Sequence, residues 1–166
     1  PLQLITMVSA IANDGLMMQP RVIHEVIDGD QVIEARPSNL GRPISAQTAH
    51  TVRDMMVSVV NEGLDGQASL PGYTIAGKTG TAEIPTPIGY QDGQSIASFI
   101  GFFPADDPQV IVLFKLDRPV DYWGSQTAAP AFQKLAERLA ILLEIPTDDV
   151  RVQLAAQGGS VNAISR

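Results

Sequence analysis

The residues with the most chemistry in the shortest space are Gly77-Lys78-Thr79-Gly80-Thr81. The lead-in Tyr73-Thr74-Ile75-Ala76 is aromatic and β-branched, which predicts a strand over 73–82. Side chains alternate along a strand, so Thr79 and Thr81 share a face. Gly80 between them keeps the backbone bare, so a ligand can come close. A lysine beside two hydroxyls makes a grip for a carboxylate. Pro85 and Pro87 are predicted to end the strand.

The same stretch fits a rival chemistry. Gly72 to Thr79 matches the phosphate-loop pattern G-x-x-x-x-G-K-[ST], and the apolar run Val110–Leu116 ends in Asp117, as a magnesium-binding strand would. A phosphate loop, however, must open a helix, whose N–H groups hold the anion. Gly80 and two nearby prolines leave no place for one. A buried strand with a chance lysine is the third reading.

Composition narrows the classes. At 166 residues the chain can build one domain with a real core. A net charge of −7 argues against nucleic acid, which wants a basic surface. Without cysteine there is no disulfide, thiolate nucleophile or cysteine metal site. His24 and His50 lie in unrelated segments, so no metal and no cofactor is expected. No apolar run has the length of a membrane span.

The elements that must hold the Lys78 strand follow from periodicity. Leu4, Met7, Val8 and Ile11 predict a helix over 2–14 with one apolar face, left through Asn13-Asp14-Gly15. Arg21–Ile27 and Gln31–Ala35 flank Asp28-Gly29-Asp30 as a hairpin. Ser45 is placed to cap a helix carrying Val52, Met55, Met56, Val59 and Val60 and ending near Gly63. Residues 95–103 and 110–117 are further strands, which short connections would order with 73–82 as an antiparallel meander, and 86–94 is read as a loop. Arg118–Gln126 is a loop bearing Tyr122 and Trp123. Thr127 is expected to cap a helix whose apolar face runs from Phe132 to Leu143, stopped by Pro146. The fold class is therefore α+β, an antiparallel sheet flanked by helices. Residues 1–146 form the domain, and 147–166, small and weakly patterned, are read as a flexible tail.

Taken together, these segments resemble a known family. Gly77-Lys78-Thr79-Gly80-Thr81-Ala82-Glu83 is similar to the K-T-G signature of penicillin-binding D,D-transpeptidases and serine β-lactamases. Ser98-Phe99-Ile100-Gly101-Phe102-Phe103-Pro104 resembles the transpeptidases' following strand, and Ala128-Ala129-Pro130-Ala131-Phe132 the start of their closing helix. Pro1-Leu2-Gln3 and Ala10 to Gly15 resemble the helix that precedes these in class B enzymes. The matches cover most of 1–146 in the family's order. No S-x-x-K, which carries the family's nucleophilic serine, occurs here. Ser160-Val161-Asn162 fits the family's S-x-N by letters but follows K-T-G instead of preceding it, and is read as chance. The chain thus resembles the C-terminal half of a class B transpeptidase domain, a partial domain of the β-lactamase/transpeptidase type, without the nucleophile's half.

The resemblance implies serine acyl transfer between peptidoglycan stem peptides ending in D-Ala-D-Ala, with β-lactams as mimics that trap the acyl-enzyme. It assigns Lys78 and Thr81 catalytic parts and Thr79, Gly80 and Thr81 the binding of substrate. Lys78 would orient the S-x-N serine and attract the substrate carboxylate. The Thr79 and Thr81 hydroxyls would bind that carboxylate, and the Thr81 N–H would be one of two oxyanion donors. The piece alone is expected to be inactive, its partner being the N-terminal half of the same domain. Val110–Phe114 is too apolar for a sheet edge, so without that half the chain is expected to self-associate. The implied location is the extracytoplasmic face of the plasma membrane, with an anchor outside this chain. A β-lactamase or β-lactam sensor piece, and a non-catalytic interaction domain on the same fold, are the alternatives.

Overall fold

The computed structural model describes residues 1–157. The chain forms two compact units, Pro1–Val52 and a second that begins at Arg53. In the first, α1 (Leu2–Ala12) buries Val8 and Ala10, yet Leu4 and Met7 of its predicted apolar face stay 38% and 53% exposed. The helix exits as expected: Asp14 and Gly15 both take positive φ, and the Gly15 N–H reaches back to the Ala10 carbonyl at 2.7 Å. Strands β1 (Met17–Met18) and β4 (Asn39–Gly41) pair antiparallel. Between them lies the expected hairpin, β2 (Glu25–Asp28) and β3 (Gln31–Glu34), turning at Gly29 with φ 58°. Its strands are shorter than the β-rich runs because Arg21–Ile23 stay outside the ladder, although the His24 carbonyl still accepts the Ala35 N–H at 2.8 Å.

Helix α2 (Ala46–Gly63) starts where Ser45 was placed as its cap: Ser45 Oγ accepts the Thr48 N–H at 3.1 Å. Met56 and Val60 are buried, while Met55 lies 63% exposed, one helical step off the covered stripe.

The second unit is built on a three-stranded antiparallel meander in sequence order, β5 (Ala76–Thr86), β6 (Gly89–Phe103) and β7 (Val110–Asp117). Strand β7 coincides with the predicted segment. Strands β5 and β6 run further than predicted, because the segment read as a loop, 86–94, continues both as a hairpin arm. Pro85 does not stop β5. The strand has one partner, so an imino nitrogen without hydrogen is tolerated there, past a register shift between Glu83 and Ile84.

Helix α3 (Ala128–Leu142) covers one face of this sheet, burying Phe132, Ala136 and Ala140 of the predicted stripe. Thr127 is at its N-cap position but makes no capping hydrogen bond. Its hydroxyl donates instead to the Trp123 carbonyl at 3.0 Å. The core joins Phe99, Phe103 and Phe132 to Val60, Leu64 and Ile75, with Val110, Val112 and Phe114 of β7 packed against it.

The stretch read as a flexible tail begins with a helix, α4 (Asp148–Ala156). Its weak apolar pattern hid the device that holds it, which is electrostatic. Arg151 is 8% exposed and donates to the carboxylates of Asp106, in the β6–β7 connection, and Asp148. Asp148 also accepts the Thr74 N–H at 2.7 Å, tying α4 to the entry of β5. Burial pushes the Asp106 carboxyl up, but the hydrogen bond and charge of Arg151, together with the backbone N–H groups of Asp106 and Asp107, outweigh it and hold Asp106 below the ordinary carboxylate value. A carboxyl with a lowered folded pKa stabilises fully above its unfolded value, and that stability is lost as pH falls through the folded value. Arg151→Leu should therefore cost about 1.5–3 kcal/mol at neutral pH, from lost charged hydrogen bonds. Denaturant titrations at falling pH should show the variant losing less stability on acidification than the parent.

Strand β7 has no neighbour on its outer side among the described residues. An apolar edge with unpaired N–H and C=O groups invites another strand. Sedimentation at rising concentration should show association of this chain, weakened by Leu113→Lys. Leu113 is the site for the lysine because Val112 and Phe114 on either side of it pack against the core. A chain that stays monomeric would remove the proposed edge contact.

Candidate active site

Two facing glycines determine how the Lys78 strand sits. Gly77 pairs with Gly101, and a Cβ on either would run into the ring of Phe99, at 2.4 Å from Gly77 and 2.8 Å from Gly101. Phe99 is fully buried and lies 4.7 Å, centroid to centroid, from Phe132 of α3. The first glycine of Gly-Lys-Thr-Gly-Thr is thus there for an aromatic ring. At Gly80 a Cβ would meet the Ser98 hydroxyl at 2.5 Å, the movable end of a side chain.

Within β5 the register pairs Lys78 with Ile100, Thr79 with Phe99, Gly80 with Ser98 and Thr81 with Ala97. Alternation then puts Thr79 and Thr81 on the face that carries Phe99 and Lys78 on the other. Strand β6 occupies one side of β5, and the opposite edge has no strand among the described residues. Lys78 is exposed. Its ammonium donates to the Thr79 carbonyl at 3.2 Å and approaches the Thr79 hydroxyl at 3.5 Å, and among the described residues it has no carboxylate partner. Lys78, Thr79 and Thr81 thus share one strand whose outer edge is free among the described residues, the ammonium lying beside Thr79 and on the opposite face from the Thr81 side chain.

The loop 118–126 also reaches this strand. The Gly124 N–H donates to the Thr81 hydroxyl at 3.1 Å, and the buried Ser95 hydroxyl donates to the Tyr122 carbonyl at 2.5 Å. Tyr122 and Trp123 meet edge to face, centroids 5.0 Å apart. Sequence reasoning identified this loop by its aromatics and missed Gly124 and Ser95. The available signal was a glycine directly after two bulky rings and just before a helix start.

The phosphate-loop alternative fails on this geometry. Gly77, Lys78 and Thr79 lie inside a strand, and no helix begins after them for the N–H cradle an anion requires. Asp117 is paired with Ile96, at the far side of the sheet from β5. No group of three or more His, Asp or Glu side chains among the described residues brackets a metal ion. A cavity of about 310 Å³ lies elsewhere, lined by Thr74, Asp106 and Asp148 near the Arg151 cluster. The Ser160-Val161-Asn162 triplet falls outside the described residues.

Residues 1–137 match the penicillin binding protein transpeptidase domain, and the chain belongs to that family. It is 38% identical over 159 residues to penicillin-binding protein PbpB of Mycolicibacterium smegmatis, covering 87% of this chain and 24% of that protein. It is 33% identical over 139 residues to a Neisseria meningitidis protein named probable peptidoglycan D,D-transpeptidase PenA, covering 81% of this chain and 22% of that one. Among solved structures, penicillin binding protein 3 of Mycobacterium tuberculosis, solved apo and with aztreonam or ampicillin, resembles it at 37% identity. The apo form superposes with TM-score 0.77, covering 88% of this chain and 36% of that chain. The chain thus spans about a quarter of the length of the curated relatives it matches. The α+β architecture is the one shared with these transpeptidases.

The two glycines of the motif should respond differently to a methyl group. Gly77→Ala must displace a fully buried ring and should cost about 1–3 kcal/mol, the range for overpacking. Gly80→Ala need only turn the Ser98 hydroxyl and should cost less. Urea unfolding of the two variants checks this, and equal costs would show that the Phe99 slot does not discriminate.

Proposed function

We propose that this chain supplies the Lys-Thr-Gly edge of a penicillin-binding D,D-transpeptidase. Such an enzyme cross-links peptidoglycan stem peptides by serine acyl transfer and is acylated by β-lactams. The single observation that carries the reading is β5: a strand with one open edge that gathers Lys78, Thr79 and Thr81, in a chain of the transpeptidase family. An extended peptide can add to such an edge by main-chain hydrogen bonds.

In this reading Lys78 draws the carboxylate and helps orient a serine from outside the chain. The Thr79 and Thr81 hydroxyls donate to the carboxylate, Gly80 lets the substrate lie along the strand, and the Thr81 N–H is one oxyanion donor. The contact of the Lys78 ammonium with the Thr79 carbonyl supports an outward set of backbone groups at Thr79 and, two residues on, at Thr81. The nucleophile comes from a part of the domain outside these residues. An oxyanion hole with one donor removed typically loses roughly 100- to 1,000-fold in rate, so this piece is required without being sufficient. The relatives' peptidoglycan names support an extracytoplasmic location, and the proposal includes a membrane anchor supplied from outside these residues. No described helix is long and apolar enough to cross a membrane.

The test is acylation by labelled penicillin. The 166-residue chain alone should take no denaturation-resistant label, because it contains no S-x-x-K serine. In the full-length protein, Lys78→Ala and Thr81→Val should each slow acylation by about 10- to 100-fold, the value of a hydrogen bond to a charged group. Ser160→Ala should leave it unchanged. Stoichiometric labelling of the chain, or normal acylation of Lys78→Ala, would overturn the site.

A further inference from the structure

We infer that Gly124 is a positioning residue for Thr81: its backbone N–H fixes the Thr81 hydroxyl as an acceptor and leaves that hydroxyl's proton for the ligand. A threonine hydroxyl has one proton and two acceptor lone pairs. The Gly124 N–H, at 3.1 Å, occupies one lone pair, and no acceptor among the described residues takes the proton. That proton is what a bound carboxylate needs.

The contact exists because residue 124 has no side chain. A Cβ there would lie 2.6 Å from both the Gly80 and Ser98 carbonyl oxygens, which are sheet backbone and cannot turn aside. The loop therefore rests directly on the Gly80–Ser98 pair, and only glycine lets it come that close. Gly124 is held from both sides. Its carbonyl accepts the Ala129 N–H at 2.9 Å, satisfying a first-turn donor of α3 that the Thr127 side chain leaves uncapped. One residue earlier, the Trp123 carbonyl accepts from the Thr127 hydroxyl and the Gln126 N–H. One residue before that, the Tyr122 carbonyl accepts from the Ser95 hydroxyl, whose residue is 1% exposed. Gly124 thus links the start of the covering helix to a site hydroxyl through its own two backbone groups. Ser95 anchors the same loop from beneath.

The functional consequence rests on the transpeptidase reading, and the experiment separates the two. Amide hydrogen exchange of the full-length protein, read at the Gly124 amide, should speed up at least about 10-fold in Thr81→Val and stay slow in Thr81→Ser, which keeps the acceptor. Unchanged exchange in Thr81→Val would overturn the inference. Acylation is then compared for a penicillin and its methyl ester, whose carboxylate is masked. Gly124→Ala should slow acylation by the free acid about 10-fold and by the ester little, the value of one hydrogen bond to a charge. Ser95→Ala, a milder variant should Gly124→Ala fail to fold, should show the same selectivity at smaller size. Equal losses with acid and ester would reduce Gly124 to scaffolding and overturn the positioning role. If the unaltered protein is acylated by neither compound, the transpeptidase reading falls, and the exchange result still decides the Gly124–Thr81 bond.

Discussion

The Phe99 ring, seated in the slot that Gly77 and Gly101 leave open, sets the geometry of the second unit. Dense packing leaves no slack around it: Phe132 of α3 presses on the ring from above, and Phe103 meets Phe132 edge to face. The ring therefore fixes how closely α3 approaches the sheet. Once that spacing is fixed, the loop that feeds α3 has to cross β5 and β6 at backbone distance, and Gly124 is the residue that makes the crossing. Core and site are consequently one construction. A residue of the Gly-Lys-Thr-Gly-Thr motif serves the core, while a loop glycine outside the motif donates its N–H to the motif's Thr81 hydroxyl.

The site's electrostatics are simple beside those of α4. Lys78 stands exposed in a chain of net charge −7, with no acid paired to it among the described residues, so its charge remains available. Arg151 is the opposite case. It is buried, and it is neutralised by the carboxylates of Asp106 and Asp148, so its charge is spent on architecture. The position of each cation separates a charge left open to solvent from one committed to the fold more clearly than residue type does.

Much of the fold was legible because its signals are local. A continuous apolar run located β7 and a period-3.6 pattern α3, Ser45 marked the start of α2, and Asp28-Gly29 marked a hairpin. The failures share a cause: the deciding partner is far away in sequence. Pro85 breaks a strand only when its nitrogen owes a hydrogen bond, and that depends on how many neighbours the strand has. Residues 147–156 look like a tail until Arg151 meets Asp106, 45 positions earlier. Thr127 looks like a cap until Gly124 supplies the acceptor instead. That Lys78, Thr79 and Thr81 lie on one strand was readable from their spacing, whereas the contacts of Gly124 and Ser95 are created only by the tertiary fold.

An edge that can recruit an extended peptide can equally recruit a copy of itself, and cells do not tolerate strands that polymerise. The shift of register between Glu83 and Ile84, followed by Pro85, bears on this hazard. The extra residues, 92–94, lie on β6, so β5 itself runs on unbroken and its row of hydrogen-bond donors is interrupted at Pro85, which has no N–H to offer. The run of donors ahead of the proline, Ala76 to Ile84, has the length of a short peptide. A proline that the hairpin tolerates on its inner side thus sets a limit on any strand laid along the outer side of β5.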